Sequence, residues 1–206
     1  MTRLYKTLLL TGTVGIGLLA IGTSPARADI IPSLDSVNSS SVIPGDFLWS
    51  YHADLHPDQR LDASLTDFFT IYDFAGYVPG SATAPADWIV SSSNVGLTPS
   101  GANPFPPADA AGIPNLTWTF TGATIIGNGG PVPGFFTAIS TSSQLTVGSY
   151  TSRSTNNTSS TPPNGLPGDN SGYVSVPDAP EPCTMALLGL GAAPLLGGLR
   201  RRGRKS

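Results

Sequence analysis

The chain has 206 residues, 13 acidic and 10 basic, for a formal charge of −3 at neutral pH. The charge is unevenly spread: Asp29 to Pro182 holds all 13 acidic side chains against Arg60 and Arg153 alone, a formal −11, and so acidic a body lacks the Lys and Arg that nucleic-acid phosphates require. The single cysteine, Cys183, excludes an internal disulfide and any Cys-based metal site.

At the front, Arg3 and Lys6 precede a stretch of apolar and small residues from Leu8 to Ile21, and Ala26-Arg27-Ala28 fits a small-x-small cleavage site. This pattern predicts a secretory signal peptide over residues 1–28, with Ala26 and Ala28 read by signal peptidase. The expected mature body starts at Asp29. Its 154 residues to Pro182 suffice for one domain with a core and hardly for two.

Through the body, period-two alternation is the clearest signal. In Trp49-Ser50-Tyr51-His52-Ala53-Asp54-Leu55 the odd positions are apolar or aromatic and the even ones polar. Phe68 to Phe74 is aromatic on both faces and reads as a buried strand; Leu116 to Thr121 alternates again, with threonines on the wet face. Trp88 to Ser91, Ala123 to Ile126, Phe135 to Ser140 and Gln144 to Tyr150 are further strands, rich in β-branched and aromatic residues. Turn signals separate them at Pro79-Gly80, Pro99-Ser100-Gly101, Asn128-Gly129-Gly130 and Pro133-Gly134. The Asn128 turn suits a hairpin, because Asn and Gly tolerate positive φ. Pro131 and Pro133 forbid the following helix that a phosphate-cradling loop needs. Five prolines between Thr98 and Pro114 predict a long surface loop. No amphipathic helix longer than two turns is expected between 29 and 150. About seven short strands with Gly and Pro punctuation predict an all-β fold: a single antiparallel β-sandwich or jelly-roll-like domain over 29–150.

From Thr151 to Ala179 the composition changes: 21 of 29 residues are Ser, Thr, Asn, Pro or Gly. Such a stretch offers little apolar surface to offset its ordering entropy, so a flexible spacer is expected over 151–179. Within it, Asp169-Asn170-Ser171-Gly172 reads as a turn. Asn-x-Ser/Thr triplets at Asn38, Asn115, Asn156 and Asn157 are expected by chance in so Ser/Thr-rich a chain.

The C-terminal 27 residues read Pro180-Glu181-Pro182, an apolar run of 15 residues from Met185 to Leu199, and the basic cluster Arg200, Arg201, Arg202, Arg204 and Lys205. As a helix the run would span about 22 Å. That is short of a hydrocarbon core of about 30 Å, so a marginal and transient membrane span is expected. The basic cluster would remain cytoplasmic as a stop, leaving the body outside. This order of features resembles the PEP-CTERM sorting signal recognised by exosortases, over about an eighth of the chain. Ala186-Leu187-Leu188-Gly189-Leu190-Gly191 is similar to the family's usual run, while Cys183 stands where Ser is more usual. The resemblance implies export, trimming near Pro180, Glu181 and Pro182, and release to or attachment at the surface of an exopolysaccharide-making Gram-negative bacterium. It assigns residues 180–206 to a sorting signal with a hydrophobic helix.

Candidate chemistry centres on the two histidines. On a strand His52, Asp54 and His56 share one face, and two imidazoles with a carboxylate could hold Zn²⁺ or Ni²⁺. The alternative is a wet strand face, ended by Pro57, on which polar residues are simply required. Asp54, Asp58, Asp62, Asp67 and Asp73 could supply oxygens to Ca²⁺, but no D-x-D-x-D-G loop is present and solvated acids are the better explanation. No G-x-S-x-G nucleophile elbow occurs. Tyr77 or Trp88, if exposed, could stack on sugar rings; otherwise they pack in the core. The expected protein is therefore a non-enzymatic, exported surface or matrix protein with a structural, adhesive, biofilm-related role and no cofactor. Its partners would be signal peptidase, exosortase, and exopolysaccharide or other surface proteins. An anionic polysaccharide would need a bridging divalent cation. A secreted carbohydrate-binding module using exposed aromatics, and a secreted hydrolase using the His52 group, are the alternatives.

Overall fold

The computed structural model describes residues 30–100, 107, 109–157 and 165–179. The signal peptide and the segment 180–206, with its expected helix, lie outside the described residues. The described chain is all-β, with strands β1 (Ile30–Ser39), β2 (Phe47–Leu55), β3 (Gln59–Leu61), β4 (Phe68–Ile71), β5 (Trp88–Ser93), β6 (Asn115–Phe120), β7 (Ile125–Ile126), β8 (Gly130–Pro131), β9 (Phe136–Ser140), β10 (Leu145–Asn156) and β11 (Pro167–Pro177). One 3₁₀ turn, Ala63–Leu65, is the only helical element among them.

The strands form two antiparallel sheets packed as a sandwich. In the smaller sheet β2 is central, flanked by β1 on one side and by β9 and then β8 on the other. Pro32 has no amide to donate, which an edge strand such as β1 tolerates. The larger sheet runs β5–β6–β4–β10–β11, with β3 pairing the same flank of β10 as β4, and β7 pairing β3. β3 and β4 thus behave as one strand interrupted by the excursion Asp62 to Asp67.

The core lies between the sheets because alternation delivers it there. Trp49, Tyr51, Ala53 and Leu55 of β2 are buried, as are Phe69, Ile71, Leu116 and Trp118 from the facing sheet. Phe136 of β9 enters an aromatic cluster, edge-on to Phe69 at 4.9 Å and to Trp88 at 5.0 Å, while Phe69 stacks on Trp118 at 5.1 Å. The buried indoles keep their donors satisfied. Trp49 Nε1 donates to the Ser142 carbonyl and Trp118 Nε1 to that of Thr83, each at 3.0 Å.

Three expectations are corrected. First, the described part of 151–179 is not a spacer: β10 continues to Asn156 and pairs with β11 along eleven register positions, so the domain extends from 150 to Pro177. Val174 and Val176 alternate into the core, and the buried hydroxyls of Thr151, Ser154 and Thr155 find distant partners, while that of Ser152 has none among the described residues. Ser154 donates to Gln59 at 2.9 Å and Thr151 to the Leu97 carbonyl at 2.9 Å. Second, Asp169 to Gly172 lies within β11, where Asp169 takes a two-pronged contact from Arg153 at 2.7 and 3.0 Å. Third, Asn128 to Gly130 is not a hairpin turn. β7 belongs to the larger sheet and β8 to the smaller, so this corner carries the chain between sheets. Gly129 adopts φ +83° there, and a side chain at Gly127 would strike the His56 carbonyl.

Candidate functional site

On the solvent side of β2, opposite Trp49 and Tyr51, stand His52 and Asp54. Beside them β1 carries a bulge between Leu34 and Ser36 that leaves Asp35 out of register. Bulges re-aim a side chain in this way, and Asp35 comes to lie by His52. Nδ1 of His52 is 3.9 Å from Asp35, and Nε2 is 4.0 Å from Asp54, all three groups half-buried or exposed. The imidazole therefore sits between two carboxylates.

His56 does not join them. It lies past the end of β2, and its Nδ1 contacts Asp58 Oδ1. Burial works to raise the Asp58 carboxyl, but the bond and charge of His56 and the Gln59 amide outweigh it and hold the group below its ordinary value. The five carboxylates likewise have separate duties. Asp62 caps the 3₁₀ turn through Ser64. Asp67 is fully buried and accepts from the Asp62 amide at 2.7 Å and from Thr155. Asp73, at φ +55°, accepts from the Ala110 amide at 2.8 Å. Among the described residues no group of three His, Cys, Asp or Glu could hold a metal ion.

Between His52 and the turn after β8 runs an open groove of about 440 Å³. Asp35 and His52 form its polar side; Pro131, Val132, Pro133, Gly134 and Phe135 form the other. Asp54 adjoins, since it pairs in register with Pro131. Gly134, at φ +93° and packed on Pro85, makes the turn that presents Phe135, which is 56% exposed. The groove combines an aromatic face with acceptors and an imidazole that can donate or accept, a set that suits hydroxylated rings. Its volume lies within the range of small-ligand sites.

The aromatics singled out from sequence are not the exposed ones. Trp88 is buried in the core, and Tyr77 is half-buried against Phe74, its hydroxyl accepting from the Gly80 amide. Phe135 immediately precedes Phe136, the first residue of β9, and in extended chain burying one of two adjacent rings turns the other to solvent. Of the chance sequons, Asn115 is buried, donating to Asp109 at 3.0 Å and accepting from the Asp73 amide at 2.8 Å, and Asn156 is buried too. The processing residues Ala26, Ala28, Pro180, Glu181, Pro182, Arg200, Arg201, Arg202, Arg204 and Lys205, with Cys183, lie outside the described residues. Comparison of the chain with protein-family models, curated proteins and solved structures finds no match.

Proposed function

We propose that this is an exported protein of the cell surface or extracellular matrix, routed by removable segments at both ends, whose role is structural and adhesive rather than catalytic. What supports the reading is the fit between fold and signals. The described strands all lie after Ala28, and β11 ends at Pro177, three residues before Pro180. One acidic sandwich thus fills the interval between the two routing patterns. Signal peptidase would act after Ala28 and an exosortase near Pro180–Pro182, with Arg200 to Lys205 retained on the cytoplasmic side. Intact-mass spectrometry of the protein from its native envelope or medium tests this. The expected species begins at Asp29 and lacks the apolar run; a soluble cytosolic product from Met1 to Ser206 would refute it.

A second reading, carbohydrate binding, is favoured by the groove. Phe135 offers a stacking face, while Asp35, His52 and Asp54 offer hydrogen bonds to hydroxyls. The acidic body favours neutral or amine-bearing glycans over polyanions. On a glycan array the protein is expected to retain such glycans, and Phe135→Ala to lose them with an unchanged melting temperature. Retention unaffected by that substitution would place any sugar contact elsewhere.

A further inference from the structure

The outer face of the larger sheet carries an apolar surface that the proposed adhesive groove does not use. Leu145 and Val147 of β10 and Tyr173 of β11 point outward on the same face. Their neighbours Ser149 and Ser175, the register partners of Tyr173 and Val147, are uncharged. The loop after β5 folds down beside them. The Leu97 carbonyl accepts from the hydroxyls of Thr70, Tyr72 and Thr151 at 3.2, 3.1 and 2.9 Å, and Gly96 lies so close to the Tyr72 ring that no side chain would fit. This clasp fixes Val95 and Leu97 at the edge of the same face, since Tyr72 bonds through its amide to Ser149. The five side chains Val95, Leu97, Leu145, Val147 and Tyr173 are 45 to 76% exposed. A cluster of this kind on a strongly acidic protein marks a contact surface.

Its position indicates what it contacts. Leu145 pairs with Pro177, so the patch lies where the chain leaves the sheet. Seven residues, 178 to 184, separate that exit from the apolar run at Met185. Fully extended they reach about 25 Å, so insertion of the run in a bilayer keeps the exit, and the patch beside it, within about that distance of the membrane. We infer that this face rests on the lipid interface while the sorting segment is inserted, an inference that depends on the proposed insertion of that segment. A lipid surface needs no receiving groove, so an exposed sheet face can meet it directly. Tyr173, an apolar ring with a polar tip, is the type of side chain that settles at headgroup depth.

The test uses the full chain carrying Cys183→Ser and one new cysteine, introduced as Val147→Cys or as Phe135→Cys; Phe135 is 56% exposed on the solvent side of the smaller sheet, the opposite face of the sandwich. Each is labelled with an environment-sensitive fluorophore and mixed with phosphatidylcholine vesicles containing headgroup-nitroxide lipid. The expected result is flotation of both proteins with the vesicles, with blue-shifted, nitroxide-quenched emission at position 147 and unchanged emission at 135. Flotation with equal, unquenched labels overturns the contact and leaves the insertion standing. Failure to float removes the insertion, and the contact with it. A label at 147 already shielded before lipid is added, and not quenched afterwards, assigns the face to the chain's own apolar run or to a second copy, and also overturns the inference.

Discussion

Replacing Asp67 by Asn isolates one buried charge that the fold holds in an unusual state. Asp67 closes the excursion between β3 and β4: its Oδ2 accepts from the Asp62 amide at 2.7 Å, both oxygens face the Thr155 hydroxyl at 3.0 and 3.2 Å, and its carbonyl accepts from Phe120 at 2.9 Å. Burial pushes its carboxyl up to about 7 from an ordinary 3.8, against the pull of those bonds and of Arg153. Because the folded value is the higher one, the folded chain binds the extra proton. The stability this group contributes is therefore greatest below about pH 4, declines between about 4 and 7, and is level above. A shift of roughly three units corresponds to about 4 kcal/mol at most, a large share of a domain stability of about 5–15 kcal/mol. Asparagine can accept from the Asp62 amide and donate to Thr155 without a charge. Urea unfolding of both proteins from pH 4 to pH 8 should therefore show the Asp67→Asn variant gaining on the wild type across this window, with the difference level above it. Asp58 and Asp62, held below their ordinary values, act only at more acid pH and are common to both proteins. Parallel curves from pH 4 to pH 8 would refute a raised carboxyl on buried Asp67.

Other outcomes follow from single contacts. Gly96→Ala should cost about 1–3 kcal/mol, read as a lower urea midpoint, because the new methyl meets a Tyr72 ring that is pinned through its hydroxyl to Leu97, Thr98 and Thr151; an unchanged midpoint would mean that the loop is not clasped. Calorimetric titration with zinc should give the same heat for the wild type, His52→Ala and His56→Ala, since His56 is engaged with Asp58 and stands apart from the Asp35–His52–Asp54 group. Binding lost in both variants would restore a shared site.

What could be read from sequence was whatever kept a clean period of two. Trp49 to Leu55 and Leu116 to Phe120 alternate without interruption, and their apolar side chains face the core as that alternation requires. Phe68 to Phe74 has the pattern of one strand, but β4 ends at Ile71: Asp73 at φ +55° turns the chain, and Phe74 reaches the core from the turn. β1 is not legible in the sequence because the bulge at Asp35 breaks its alternation midway, after Ile30, Pro32 and Leu34 and before Val37. The same irregularity hid the site. His52 and Asp54 were legible on one strand, but Asp35 enters only through the bulge, and Phe135 through a glycine turn from another strand. Period-based reasoning works within a strand, while this groove is assembled across three.

The β10–β11 hairpin shows the same limit in composition, and it bears on processing. Counting Ser, Thr, Asn, Pro and Gly measures how little apolar area a segment carries, not whether its polar groups will find partners. Here Thr151, Ser154 and Thr155 are fully buried and bonded to groups 54 or more residues away, and two alternating valines suffice on the inner face. As a consequence, only Asp178 and Ala179 stand between the sheet and Pro180, and Asp178 is itself tied through its amide to the Gln144 carbonyl at 2.8 Å. A protease needing extended chain upstream of Pro180 would have to unpair Pro177 and draw Val176 from the core. Exposing that side chain alone costs about 1.5–3 kcal/mol. Under the proposed routing the cut therefore falls at Pro180 or beyond it. A mature C-terminus inside β11 would show that the hairpin opens before the protease acts.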